Sequence, residues 1–215
     1  MLLELSTIYE LTLRRIRDEA TEPEESGLQI IEIVLCATKY LYLDELQHTL
    51  ATEEGDNKFH AEDYYKQKEI LARTGGLLTI ENDQIVIFIH HTVDEYLNQQ
   101  KVYHEYFNDG HLRLTRKYLA YVSFTTFKKP RKRMDQLRLH QQYPFLRYAA
   151  HRLGYHVSKC ITTKSITIRE ATTFLEKNVP LASLQVIASK ILTIPSADRM
   201  DVFLRQSSTL HLAIL

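Results

Sequence analysis

Gly75-Gly76-Leu77-Leu78-Thr79-Ile80-Glu81-Asn82-Asp83-Gln84-Ile85-Val86-Ile87-Phe88-Ile89 is the stretch on which the fold turns. Two β-rich apolar runs flank an Asn82-Asp83 tip, which is the pattern of a hairpin, and the paired glycines stop the helix ahead of them. Working back, a helix spans about Ala61 to Arg73, with Tyr64, Ile70 and Leu71 for its inner side. A polar loop from Glu53 to Asn57 precedes it, and Leu43-Asp44-Glu45-Leu46 begins a short helix that ends near Thr52. Earlier still, Leu28, Ile30, Ile31, Ile33, Val34, Leu35 and Cys36 are apolar nearly all round, the mark of a central buried helix. Thr21-Glu22-Pro23-Glu24 reads as the capping box that opens it. Three helices followed by a hairpin make the winged-helix order, an elaboration of helix-turn-helix.

The flanks extend a mainly α pattern. Leu5, Tyr9, Leu13 and Ile16, with Ile8 on the same side, predict an amphipathic helix over residues 6–19. Thr92-Val93-Asp94-Glu95 is a second capping box, launching a short helix that holds Val93, Tyr96 and Leu97. From Asn108 the chain turns helical again, with Leu112, Leu119 and Val122 on one stripe, Tyr118 beside them and Phe124 at the end. Pro144 stands where a first helical residue often does, and Phe145, Ala149, Leu153 and Val157 follow at helical spacing. Thr167-Ile168-Arg169-Glu170 opens a helix with Ala171, Phe174 and Leu175 inward, and Pro180 starts another with Leu181, Leu184, Ile187 and Ile191 inward. The expected fold class is mainly α with a small β-hairpin wing: a winged helix over residues 21–100, then a helical domain over 101–206.

Composition narrows the function classes. The hydrophobic share of 44% and charged share of 25% are those of an ordinary globular protein. Lys plus Arg and Asp plus Glu both total 27, so no global field points to nucleic acid or membrane. With two cysteines, Cys36 and Cys160, and no leader-like start, reduced core thiols are expected over a disulfide. No run approaches the roughly 18 apolar residues of a membrane span. The expectation is a cytoplasmic protein with no membrane partner, the nucleus being the other compartment open to it.

Ile89-His90-His91-Thr92-Val93-Asp94-Glu95-Tyr96-Leu97 resembles the Val-His-His-Thr/Ser-Val-x-Glu-Tyr-Leu stretch of fungal NACHT–ankyrin proteins, which are NLR-like signalling ATPases. In them this stretch closes the winged-helix domain whose family label comes from GPI inositol-deacylase-like proteins. Further segments agree in order. Ile8-Tyr9 through Leu13-Arg14-Arg15-Ile16 is similar to the last helix after the NACHT core, which sets residues 1–20 apart. Gly110-His111-Leu112-Arg113-Leu114 to Tyr118-Leu119-Ala120-Tyr121-Val122-Ser123-Phe124 resembles the helix after the wing. Tyr143-Pro144-Phe145-Leu146-Arg147-Tyr148-Ala149-Ala150 to Gly154-Tyr155-His156 resembles the next family block. Ser208-Thr209-Leu210-His211-Leu212-Ala213 is similar to the Thr-Pro-Leu-His-x-Ala start of an ankyrin repeat, so residues 207–215 read as an incomplete repeat. On this reading the chain is a shortened family member or a fragment of a longer reading frame.

The departures matter as much. Tyr40-Leu41-Tyr42 replaces the Arg-Pro-Leu-Thr that commonly precedes the third helix, losing a Thr cap. No G-x-x-x-x-G-K-[ST] phosphate loop occurs, so the family's ATPase is not carried over and no nucleotide cofactor is expected. No G-x-S-x-G elbow occurs either, so the deacylase label implies no acyl chemistry and no catalytic residue is assigned.

The ten histidines raise a metal reading that the spacing disfavours. His90 and His91 are adjacent and in a strand would point to opposite faces. His151 and His156 lie five apart with Cys160 beyond, which misses the i,i+4 spacing of a shared helix face. No metal and no cofactor are therefore expected, and Cys36 reads as packing. A winged helix reads DNA with its third helix in the major groove. Asp44, Glu45, Glu62, Asp63 and Glu69 stand among Lys66, Lys68 and Arg73 there, a mixed surface where phosphate would call for a cationic one. Lys128-Lys129-Pro130-Arg131-Lys132-Arg133 is the one sharp cluster, and it reads equally as a nuclear-import signal, an acidic-partner patch or a solvated loop. The 13 tyrosines sit on helical stripes and suggest core positions with polar tips. The resulting expectation is a non-catalytic interaction and regulatory module. It resembles the connector between NACHT and ankyrin regions, and its partners would be such regions or other chains. The alternative is a winged-helix nucleic-acid binder.

Overall fold

The computed structural model describes residues 2–20, 27–107, 109–128, 138–139 and 141–160. They are mainly helical, with a small three-stranded antiparallel sheet, and fall into two compact units. Of the described residues, the first takes those up to 50 and from 64 to 110, and the second takes 51–63 and those from 111 to 160.

In the first unit the order is α1 (Leu2–Glu19), α2 (Gly27–Cys36), β1 (Leu41–Tyr42), α3 (Leu43–Leu50), α4 (Gln67–Arg73), β2 (Leu78–Ile80), β3 (Ile85–Phe88), α5 (His91–Leu97) and α6 (Gln100–Tyr106). From α2 to β3 this is the winged-helix order, with the strands arranged β1-β3-β2. The hairpin register pairs Leu78 with Phe88 and Ile80 with Val86, while Leu41 pairs with Val86 from the other side. The tip is a turn over Asn82-Asp83 closed by Gln84 N–H donating to the Glu81 carbonyl at 2.9 Å. Gln84 follows at φ 62°, in the left-handed region where glycine or asparagine is the usual choice.

α2 is buried nearly all round, as its composition predicts: Ile30, Ile31 and Ile33 are inaccessible, and even Gln29 and Glu32 are covered. Its first residue has to be glycine. A Cβ on Gly27 would stand 1.8 Å from the carbonyl oxygen of Arg73, so the start of α2 meets the end of α4 backbone to backbone.

Several elements differ from the sequence reading. Tyr40-Leu41-Tyr42, expected only as a lost cap, supplies β1. Tyr42 then precedes α3, and its N–H donates to Oε2 of Glu45 at 3.1 Å. That is the returning half of a capping box, kept although the Thr half is gone. α4 starts at Gln67; residues Ala61–Asp63 form a separate 3-10 turn, and Tyr64 lies outside the helix and exposed instead of on its inner side. The residue that anchors α4 is Ile70, wholly buried. α1 runs further toward the N-terminus than expected, from Leu2. It points Tyr9, Leu13 and Ile16 inward, whereas Ile8 is exposed and not on that side. α6 has no counterpart in the sequence reading. It joins the first unit, as α1 does, so this unit extends on both sides of the 21–100 span, and the 51–63 segment goes with the second unit. The inner cluster consists of Leu13 and Ile16 from α1, Ile31, Leu77, the α5 residues Val93, Tyr96 and Leu97, and Val102, Tyr106 and Phe107.

The second unit is built on α7 (Gly110–Val122), a 3-10 turn at Thr125–Lys128, and α8 (Phe145–Lys159). Its interior is aromatic. The Tyr118 and Phe145 rings lie 4.9 Å apart, Tyr121 meets Phe145 edge-on at 5.1 Å, and Phe124 stacks on Phe127. Leu119, Val122 and Tyr118 are buried as the stripe predicts, and Leu112 is only half-buried. Lys117 is buried too, its Nζ donating to the Thr52 carbonyl at 2.6 Å and to Oε1 of Glu53 at 2.9 Å. Burial lowers its pKa, opposed by the Glu53 carboxylate. Thr125 N–H donates to the Asn57 carbonyl, a second tie between this unit's two chain segments. The helices read from Thr167 onward and the repeat-like residues 207–215 lie outside the described residues. Among the described residues no helix is long and apolar enough to cross a membrane.

Candidate functional site

A polar cluster in the first unit lies where α1 meets α5 and α6. Glu10 lies on α1 one residue from Tyr9 and three from Leu13, so it sits at the rim of the buried stripe. Its Oε2 accepts from the Tyr96 hydroxyl at 2.7 Å, and its Oε1 accepts from the Tyr106 hydroxyl at 2.8 Å and from Arg14 Nε at 2.8 Å. One carboxylate thereby joins three helices. Partial burial pushes its carboxyl up, but the hydrogen bonds from Tyr96, Tyr106 and Arg14 outweigh that and hold it below the ordinary value. Burial, then the bond to Glu10, raises both phenols. Arg17 completes the rim over the Tyr106 ring at 5.1 Å.

A second contact runs from α1 to the start of α5. The Tyr9 hydroxyl shares a hydrogen bond of 2.8 Å with Oγ1 of Thr92. Thr92 is not the helix cap that its capping-box position suggests. The cap is His90, whose Nδ1 accepts from Thr92 N–H at 3.2 Å and lies 2.9 Å from Thr92 Oγ1. The His-His dipeptide thus lies beyond the strand, because β3 ends at Phe88. The two rings are 4.1 Å apart and on the same side, not on opposite faces. Val93 and Leu97 are inaccessible, as expected of residues four apart on an inward face.

The outer face of α1 is different in kind. Ile8 and Leu11 are 55% and 61% exposed, so this helix carries apolar side chains on both its buried and its open side. On α3 and α4, the helices weighed for a DNA surface, the charges are mixed and locally engaged. Arg73 donates to Oε1 of Glu69 at 3.1 Å and stands over the Tyr65 ring at 5.2 Å. Glu45 is buried beneath Lys39, which donates to both its oxygens at 2.8 and 2.9 Å. In the basic cluster, Lys128 ends the 3-10 turn, while Lys129, Arg131, Lys132 and Arg133 lie outside the described residues.

His156 pairs with His111 of α7, a partner that spacing along one helix had no means of finding. The two Nδ1 atoms are 2.8 Å apart, and Tyr148 OH is 3.4 Å from His156 Nε2. Burial, reinforced by His111 and Arg152, lowers His156 to about 3, so its ring is neutral and its Nδ1 shares one N–H with Nδ1 of His111. Cys160 donates to the His156 carbonyl at 3.2 Å. Cys36 is buried beside the Tyr103 hydroxyl at 3.5 Å, and burial pushes its thiol up to about 11, the setting of an inert core cysteine. Among the described residues no group of three or more His, Cys, Asp and Glu comes together as a metal ion would need.

No protein-family model matches the chain, and no curated protein and no solved structure matches it either.

Proposed function

We propose that this chain is a non-catalytic interaction and regulatory module, working in the cytoplasm, in which a winged helix receives another protein region through α1. The observation that carries the reading is the two-sided character of α1. Leu13, Ile16 and Glu10 fasten it to α5 and α6, while Ile8 and Leu11 remain exposed on the outside. A helix seated this firmly on one side, with two apolar side chains open on the other, is suited to carry a second protein surface. The resemblance to NACHT–ankyrin proteins supplies the class of partner, a NACHT-type helical region on α1 and an ankyrin array beyond the second unit. Such a role needs no bound nucleotide, metal or other cofactor.

The test is co-expression of the full chain with a NACHT-type core of the resembled family, followed by size-exclusion chromatography. The reading expects a complex that Leu11→Glu dissociates while the variant itself still unfolds like the parent in urea. Co-elution unchanged by Leu11→Glu, or no complex with the parent, overturns it. The nucleic-acid alternative predicts duplex DNA binding that weakens steeply with salt. The local pairing of Arg73 with Glu69 and of Lys39 with Glu45 favours the protein partner.

A further inference from the structure

We infer that the outer face of α1 docks on α1 of a second copy of this chain, the two helices running antiparallel. Glu4, Ile8, Leu11 and Arg15 recur at steps of four, three and four, and all of them are exposed. That is the strict seam spacing by which two helices lie along one another. The opposite face is occupied: Leu13 and Ile16 are in the core, and Glu10 and Arg14 are bonded to each other at its rim. The seam is a second, separate face of the same helix.

The order of its charges selects the occupant. The midpoint between Glu4 and Arg15 is also the midpoint between Ile8 and Leu11. A twofold axis through that point sets Ile8 of one copy against Leu11 of the other, and Glu4 against Arg15, each pair occurring twice. Turned parallel, the same helices set Glu4 on Glu4 and Arg15 on Arg15, which repel. The seam complements itself in one orientation only. Its flanks let the helices close. Thr7 and Thr12 stand on either side of the apolar pair, and the Thr12 hydroxyl donates to the Ile8 carbonyl at 2.8 Å. Gly75 passes alongside, where a Cβ would stand 2.8 Å from Thr12 Cγ2 and 3.2 Å from Arg15 Nη2, so no side chain rises there. Arg15 has Glu19 at 4.0 Å, a loose contact that leaves its guanidinium room to swing across. Asp18, next along the seam, has Arg17 beside it at 3.7 Å. Four apolar side chains make a small core, so the pair should dissociate on the order of tens of micromolar. The inference rests on the proposed function in one respect: the second copy covers the face assigned there to another protein region, and that region has to displace it.

The experiment is sedimentation velocity of the full chain alone from about 1 to about 200 µM, a range that spans such a pair. The parent is expected to shift toward twice the monomer mass. Glu4→Lys and Arg15→Glu should each weaken the dimer by roughly tenfold, because each sets like charges together at both ends of the symmetric pair. Combined, they should recover to within about threefold of the parent. Cross-linking is the second measurement. Under mild oxidation Ile8→Cys mixed with Leu11→Cys should form a disulfide between copies faster than either variant does alone. A parent that stays monomeric throughout, single reversals without effect, or a double variant no tighter than the singles overturns the inference. If the reversals do not fold, cross-linking decides, and Ile8→Cys linking to itself as fast as the mixture overturns it. A monomeric parent that still forms the co-expressed complex ends the pairing and spares the partner reading.

Discussion

The Tyr96 hydroxyl donates to Oε2 of Glu10 at 2.7 Å across 86 residues of chain. A carboxylate that accepts from two phenols is a strong acceptor in a half-buried place, and its loss leaves both phenols without their partner. Glu10→Ala should cost about 1–3 kcal/mol, read as a lower urea midpoint with unchanged slope. A double-mutant cycle of Glu10→Gln with Tyr96→Phe should show a coupling of at least about 0.5 kcal/mol. Additive effects would mean that the bond does not hold α1.

Val93 is inaccessible in the cluster that α1, α5 and α6 share. Val93→Asp places a carboxylate there with no cation at hand, so a cost of several kcal/mol is expected, on the order of the buried-charge penalty. Urea unfolding of the variant checks it, and parental stability would show that α5 does not seal this core.

The hairpin tip makes the opposite forecast. Gln84 holds a φ of 62° and uses only its backbone at the turn, its N–H bonding Glu81 and its carbonyl accepting from Leu43 N–H. Gln84→Gly keeps those bonds and removes the left-handed penalty, so it should stabilise the protein by up to about 1 kcal/mol. A thermal melt that moves down instead would place a needed contact on the glutamine side chain.

The outline of the fold was legible because it rests on local rules. The apolar run of α2, the glycine stop at Gly75-Gly76 and the two strand runs each follow from periodicity and turn chemistry, and Val93 and Leu97 proved to be the anchors their spacing implies. What escaped depends on partners far away in sequence. β1 is two residues long and exists only because Leu41 and Tyr42 meet Val86 and Ile85. α6 reads as polar except for Val102, Tyr103 and Tyr106, which gain their inner face from the cluster around α1. The clasp at Glu10 and the His111–His156 pair join residues 86, 96 and 45 apart, and no motif marks them. The displaced cap at His90 was closer to hand, since an acceptor two residues before Thr92 competes with the threonine itself.

Acid should destabilise both units through neutral buried histidines. Burial depresses His48 to about 4 in the first unit and His156 to about 3 in the second. An unfolded chain binds these protons near the ordinary histidine value of about 6.5, while the folded chain refuses them. Stability is therefore full above that value and falls as pH drops toward each folded value, by up to about 1.4 kcal/mol per pH unit for each group. Urea midpoints at pH 7, 6 and 5 measure the slope. His48→Gln and His156→Gln should each flatten it, and a parental slope near zero would contradict the burial of these rings.

Lys117 anchors Thr52 from 65 residues further along the chain, which has a bearing on how the protein is made. During synthesis the 51–63 segment leaves the ribosome well before α7 exists, so its ammonium partner arrives late. The segments of the first unit are all available once residue 110 has emerged, with 51–63 spanning the gap between them as an unfastened loop. Only the arrival of α7 closes it. A clone cut at residue 100 to isolate the wing would carry that loop permanently open, and one begun at residue 101 would leave the buried Lys117 amine with neither Thr52 nor Glu53. Neither cut respects the covalent order in which the two units share the chain.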